Sequence, residues 1–104
     1  MSAEIYLVQT TLPPSWLEAE VGAFSQLILE AGAACVHHSS TRSTYKWEGK
    51  IQSTKEWELQ LKVGFKKLAD VLSMIQENHP YDIPQIIHYP VETNAQYADW
   101  VNSA

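Results

Sequence analysis

The chain has a single cysteine, Cys35, which excludes an intrachain disulfide and any zinc cluster built on paired thiolates. Four glycines in total leave no glycine-rich loop to cradle a phosphate. Seven Lys and Arg stand against twelve Asp and Glu, and the basic residues are scattered. Neutralising a nucleic-acid backbone needs clustered cations, so nucleic acid is not an expected partner. No apolar run is long enough to span a membrane, and the mean hydropathy is -0.23. The N-terminal Met-Ser-Ala-Glu-Ile-Tyr lacks a basic region followed by an apolar stretch, so no signal peptide is expected and the cytoplasm is the expected location. No Ser or Cys nucleophile has a base at recognisable spacing, and neither a His-x-x-x-His pair nor an acidic calcium loop occurs. The expectation is a protein that is not an enzyme.

Aromatic residues, in contrast, are plentiful: four Trp and five Tyr in 104 residues. A chain of this length forms one domain, 1–104, with limited capacity to stabilise itself through its own core, so self-association would help. Residues 5–10 are β-branched and aromatic and read as a central strand. Leu17, Val21, Phe24, Ile28 and Ala31 then recur at helical spacing, with Ser15 placed to cap the helix and Gly32 to terminate it. A second strand runs from 33 to 46, with a bend or bulge expected at Ser39-Ser40-Thr41. Glu48-Gly49 makes a tight turn. The returning strand alternates Trp57, Leu59, Leu61 and Val63 towards the helices with Glu56, Glu58, Gln60 and Lys62 on the other face. Phe65, Leu68, Leu72 and Ile75 mark a second helix that must stop before Pro80. Pro84 and Pro90 bracket a short peripheral strand, 85–89, and Thr93 or Asn94 caps a last helix in which Tyr97, Trp100 and Val101 share a face.

This order is an α+β, ferredoxin-like β-α-β-β-α-β fold with an extra C-terminal helix, a long hairpin between the second and third strands, and helices on one face of the sheet. The hairpin tip carries Tyr45, Trp47, Glu48 and Ile51, more apolar area than a solvated turn requires. Such a tip wants a surface to lie on, and in a chain this small that surface is expected on another copy. Cys35 and His37 share a strand face and have the donors that Cu or Zn prefers, although two ligands fall short of a full site; the alternative is a packed thiol beside a polar imidazole. His38 points the other way. His79, before Pro80-Tyr81, sits where a helix C-terminus favours a cation, with helix capping as the plainer role. Glu56 and Lys62 on the uncovered face form either a charged site or cross-strand ion pairs.

Taken together, Ala33-Ala34-Cys35-Val36, Tyr45-Lys46-Trp47-Glu48-Gly49-Lys50-Ile51, Lys62 near the end of the third strand, His79-Pro80-Tyr81, Pro84-Gln85-Ile86-Ile87, and Tyr97 with Trp100 resemble the CutA family of divalent-cation tolerance proteins. The resemblance runs from Ile5 to Trp100 and implies a compact homotrimer resembling the PII signalling proteins, its hairpins reaching onto neighbouring subunits. Some members have a cysteine near the end of the first strand and two consecutive histidines before Pro-Tyr, proposed as copper ligands. Gln9 and Asn78 stand at two of those positions here, and His79 is kept.

Three functions are then in view. The first is a non-enzymatic trimer in divalent-ion (copper) tolerance that needs no cofactor and binds Cu2+ or Zn2+ weakly, with His79, Cys35 and His37 as candidate ligands. The second is a PII-like sensor holding a small anionic ligand between subunits near Trp47, Glu56, Lys62, His79 and Tyr81. The third is a structural trimer that serves a protein partner.

Overall fold

The structure of the protein, a computed structural model, describes residues 2–104. Strand β1 (Ser2–Leu12) is followed by helix α1 (Glu18–Ala31), and strands β2 (Cys35–Trp47) and β3 (Lys50–Val63) form the hairpin. A 3-10 turn (Phe65–Lys67) leads into helix α2 (Leu68–Asn78), then come strand β4 (Ile87–Asn94) and helix α3 (Ala95–Asn102). The sheet order is β2-β3-β1-β4 and every neighbouring pair is antiparallel. The expected ferredoxin-like order and the C-terminal helix are therefore present.

The period-two alternation of β3 decides which face is buried. Leu59, Leu61 and Val63 have no exposed surface and meet Val8 and Leu12 of β1, Val21, Phe24 and Ile28 of α1, and Val71 and Ile75 of α2. Each such side chain contributes roughly 1.5–3 kcal/mol by leaving water. Trp57 extends this face, its indole N–H donating to the carbonyl of Trp16 at 3.0 Å. Ile5, an odd number of residues from Val8, points to the opposite face and packs there with Ala98 and Val101 of α3. The second face is thus covered at one end by α3, and it is bare only beyond that end.

Several local expectations are corrected. Leu17, not Ser15, is the residue that caps α1; it is 69% exposed, and its N–H is taken by the Glu20 carboxylate at 2.9 Å. The α1 face is completed instead by Ser25, whose hydroxyl donates to the Val21 carbonyl. No bulge interrupts β2: pairing is continuous from Cys35 opposite Lys62 to Trp47 opposite Lys50. The Ser-Ser-Thr stretch is polar because the strand there has outrun the core. Phe65 lies in the 3-10 turn and is 73% exposed, so α2 starts later, at Leu68. Strand β4 begins at Ile87 and passes straight through Pro90, which an edge strand tolerates because one side makes no ladder bonds. In α3 the buried residues are Ala98 and Val101; Trp100 stacks on Tyr97 at 5.7 Å and stays half exposed.

Two features stand as expected. Gly32, with φ 128°, ends α1, its N–H bonding the Leu29 carbonyl at 3.0 Å. The hairpin turns on Glu48 and Gly49, both at positive φ (51° and 77°), the pattern whose twist matches that of the flanking strands. The hairpin accounts for a molecule 46 Å long and only 24 by 21 Å across.

Candidate functional site

Because β2 and β3 pair without interruption, alternate residues fall in rows across the bare face. Cys35, Lys62, Leu7 and Tyr89 form one row, and His37, Gln60, Gln9 and Ile87 the next. Further towards the tip come Thr41 with Glu56 and Tyr45 with Gln52. The connector that leaves α2 passes beside this part of the hairpin. Together they enclose a groove of about 640 Å3, walled by Tyr45, Trp47, Pro13 and Ile83, with Glu56, Tyr81 and Asp82 as polar groups.

Tyr81 is held there by a chain of contacts that begins in the core. The buried Thr10 hydroxyl lies 3.0 Å from His79 Nε2, while His79 Nδ1 accepts the backbone N–H of Tyr81 at 3.1 Å. An accepting Nδ1 places the imidazole proton on Nε2, which donates towards Thr10. The ring also packs edge-on to Phe24 and lies 5.1 Å from the Tyr81 ring. Burial lowers the His79 pKa below its usual 6.5, against the opposing pull of the Thr11 backbone bond and the Glu56 charge. The neutral imidazole is a latch that fixes the bend at Pro80 and aims Tyr81 into the groove.

At the other end of this chain the Tyr81 hydroxyl donates to Glu56 Oε2 at 2.7 Å. Burial first, then the hydrogen bond to Glu56 and its charge, raise the phenol pKa well above 10. Tyr81 is therefore a durable donor to Glu56.

Trp47, Glu56 and Tyr81 line one groove, with Tyr81 bonded to Glu56 and Trp47 further towards the tip, and the other candidates lie apart. His79 touches Tyr81 but turns to the helix face through Thr10. Lys62 lies six residues from Glu56 along the strand, about 20 Å at strand rise, so the two form no pair. Its ammonium instead lies 2.7 Å from His37 Nδ1 and 3.4 Å from Gln60 Oε1. Cys35 and His37 share the bare face as expected, and His38 packs on Trp57 across the sheet. The thiol neighbours Tyr97, whose hydroxyl pKa is raised by burial and by Cys35.

Among the described residues no three His, Cys, Asp or Glu side chains converge as metal ligands. His79 uses both nitrogens and His37 uses one, so the donors of a single chain, as arranged, do not fit a resident divalent cation. Reasoning from sequence missed Thr10, Phe24, Asp82 and Ile83. Only the composition around His79-Pro80-Tyr81 hinted at a functional loop, and Thr10 is 69 residues away from the histidine that it meets.

A split β-α-β sheet with a projecting hairpin places the chain in the PII-like class of fold. The chain is similar in structure to "PII-like protein CutA" from Nostoc sp. in apo form, with a TM-score of 0.82 at 29% identity over 94% of each chain. It is likewise similar to CutA1 of Pyrococcus horikoshii, with a TM-score of 0.79 at 35% identity over 94% of this chain and 95% of the other. Residues 6–104 match the family described as CutA1 divalent ion tolerance protein, and the chain belongs to that family. Its sequence is 36% identical over 96 residues to the divalent-cation tolerance protein CutA of P. horikoshii, covering 91% of this chain and 92% of that one. It is 31% identical to the chloroplastic protein CutA of Arabidopsis thaliana over 94% of this chain, which spans about half (54%) of that relative. Among the described residues no helix is long and apolar enough to cross a membrane.

Proposed function

We propose that this chain acts in divalent-cation tolerance as a homotrimer, and as a binding protein rather than a catalyst. The observation that carries the reading is the hairpin tip, where Tyr45, Trp47 and Ile51 are 40%, 46% and 75% exposed at the end of a projecting arm. Aromatic groups so displayed are typical interface anchors, and three copies is the assembly that the family resemblance implies. Metal contact, in this reading, is weak and made at exposed imidazoles and carboxylates. Light scattering on the wild type and Trp47→Ala tests the assembly. A trimer weakened by the substitution supports the tip interface, and a monomeric wild type removes the proposal. Copper titration of the wild type against His37→Ala and His79→Ala tests the ligands; affinity unchanged in both variants counts against both residues.

One observation favours a second reading, a PII-like sensor of a small anion. Among the described residues the Lys62 ammonium, on the bare face, has His37 and Gln60 as hydrogen-bond partners and no carboxylate, so a carboxylate or phosphate would complete it. A ligand selective for the folded assembly must raise its melting temperature. A panel of anionic metabolites without any such shift, or a shift retained in Lys62→Met, would count against it.

A further inference from the structure

The hairpin arm has a second face, turned away from the one that carries Tyr45 and Trp47. It begins where Trp57, opposite Ser40, bonds the Trp16 carbonyl beside α1. Beyond that row the period-two alternation puts Arg42 opposite Lys55, then Thr44 opposite Ser53, then Lys46 opposite Ile51. Arg42, Thr44, Lys46, Ser53 and Lys55 are all exposed. Three of the chain's seven basic residues, scattered in sequence, thus gather on one strip, and no carboxylate occupies these paired positions. At the foot of the arm the Glu20 carboxylate is already engaged by the Leu17 N–H. Like charges directly opposite on adjacent strands repel, so the Arg42–Lys55 pair carries a repulsion that an anion would remove. The next row is a pair of hydroxyls, Thr44 Oγ1 donating to Ser53 Oγ at 3.4 Å. Lys46 follows about 13 Å from Arg42 at strand rise.

From these features we infer that the strip binds a short chain of linked phosphates, one phosphate between Arg42 and Lys55 and the next across the hydroxyl row towards Lys46. The guanidinium offers a planar fork of donors and the ammonium a compact charge, the two groups that suit phosphate oxygens. The Thr44 and Ser53 hydroxyls donate to the oxygens left over. A carboxylate, with two oxygens, fills the first row and leaves the second unused. The exposed rows carry no aromatic ring on which a base could stack, so the strip reads charge and not nucleobase. Ile51, in the outermost row, belongs to the tip contact, and the site ends at Lys46. An arm that lays Tyr45 and Trp47 on a neighbouring subunit turns this strip away from that subunit. The site is therefore complete within one arm and lies on the opposite sheet face from Lys62, so this inference and the readings above can fail separately.

The probe is sodium tripolyphosphate, titrated calorimetrically into the protein in metal-free buffer of low ionic strength. The expected result is saturable binding that weakens as salt is raised, with orthophosphate bound about tenfold less tightly or worse. Uridine triphosphate binds no more tightly than tripolyphosphate. The double variant Arg42→Gln/Lys55→Gln weakens tripolyphosphate binding about tenfold or more, whereas Lys62→Gln leaves it within about twofold. The inference is overturned by the absence of saturable binding, by undiminished binding in the double variant, or by loss of binding in Lys62→Gln. Tighter binding of uridine triphosphate, or of an oligo-aspartate peptide, also overturns it. Both substituted side chains are exposed and repel each other, so the double variant should melt no lower than the wild type. Should it misfold, the Lys62→Gln variant and the comparison of ligands on the wild type decide.

Discussion

Replacing Tyr81 by Phe deletes one oxygen and leaves the ring against His79. What is lost is a 2.7 Å hydrogen bond to a carboxylate. Bonds to charged partners are worth about 1.5–3 kcal/mol. The groove is open to water, so Glu56 can be rehydrated after the change, which places the expected loss near the lower limit, about 1.5 kcal/mol, or roughly tenfold in the unfolding equilibrium. The assay is urea unfolding at one protein concentration, because an oligomer's midpoint moves with concentration. Glu56→Gln and the double variant complete a cycle whose coupling should be about 1 kcal/mol. A Tyr81→Phe midpoint equal to that of the wild type, or strictly additive effects in the cycle, would refute the bond as a stabilising contact. Linkage supplies an independent sign. Because the folded phenol titrates above 10, its contribution is complete below pH 10 and is lost as pH rises through the folded value, so Tyr81→Phe should flatten the alkaline limb of the stability curve.

The other expectations are simpler. Gly32→Ala should cost more than about 1 kcal/mol in denaturant unfolding, since φ is 128° and a new Cβ would lie 2.8 Å from Lys67 Cβ. Leu61→Ala empties a fully buried position between β1 and the helices and should cost about 2–5 kcal/mol, measured in the same way. His79 is half-buried with a lowered pKa, so the unfolded chain takes up its proton first. The contribution of His79 is complete above about pH 6.5. It falls as pH drops from there through the lower folded value, and His79→Gln should flatten that acid limb in thermal melts.

The order of elements was legible because it is written in local periodicities: a period of two along β3, about 3.6 along α1 and α2, and turn chemistry at Glu48-Gly49 and Gly32. Errors gathered where a local signal had two meanings. Ser39-Ser40-Thr41 is polar like a bend, yet it is a straight strand with water on its outer side. Leu17 and Phe65 fit the helical spacing, but they lie at element ends, outside the packed face. Pro90 reads as a strand end until the sheet order places β4 at an edge.

Of the candidate site, the sequence by itself offered Trp47, Glu56, His79 and Tyr81 as candidates, because their side chains bind or bond, and the hairpin tip through its aromatics. Only the tertiary structure decided their roles. Tyr81 reaches Glu56 across 25 residues and His79 reaches Thr10 across 69, and such contacts depend on how helices and strands pack, which no local pattern encodes. That packing makes His79 a latch, separates Lys62 from Glu56, and puts α3 on the face that the element order alone had left bare.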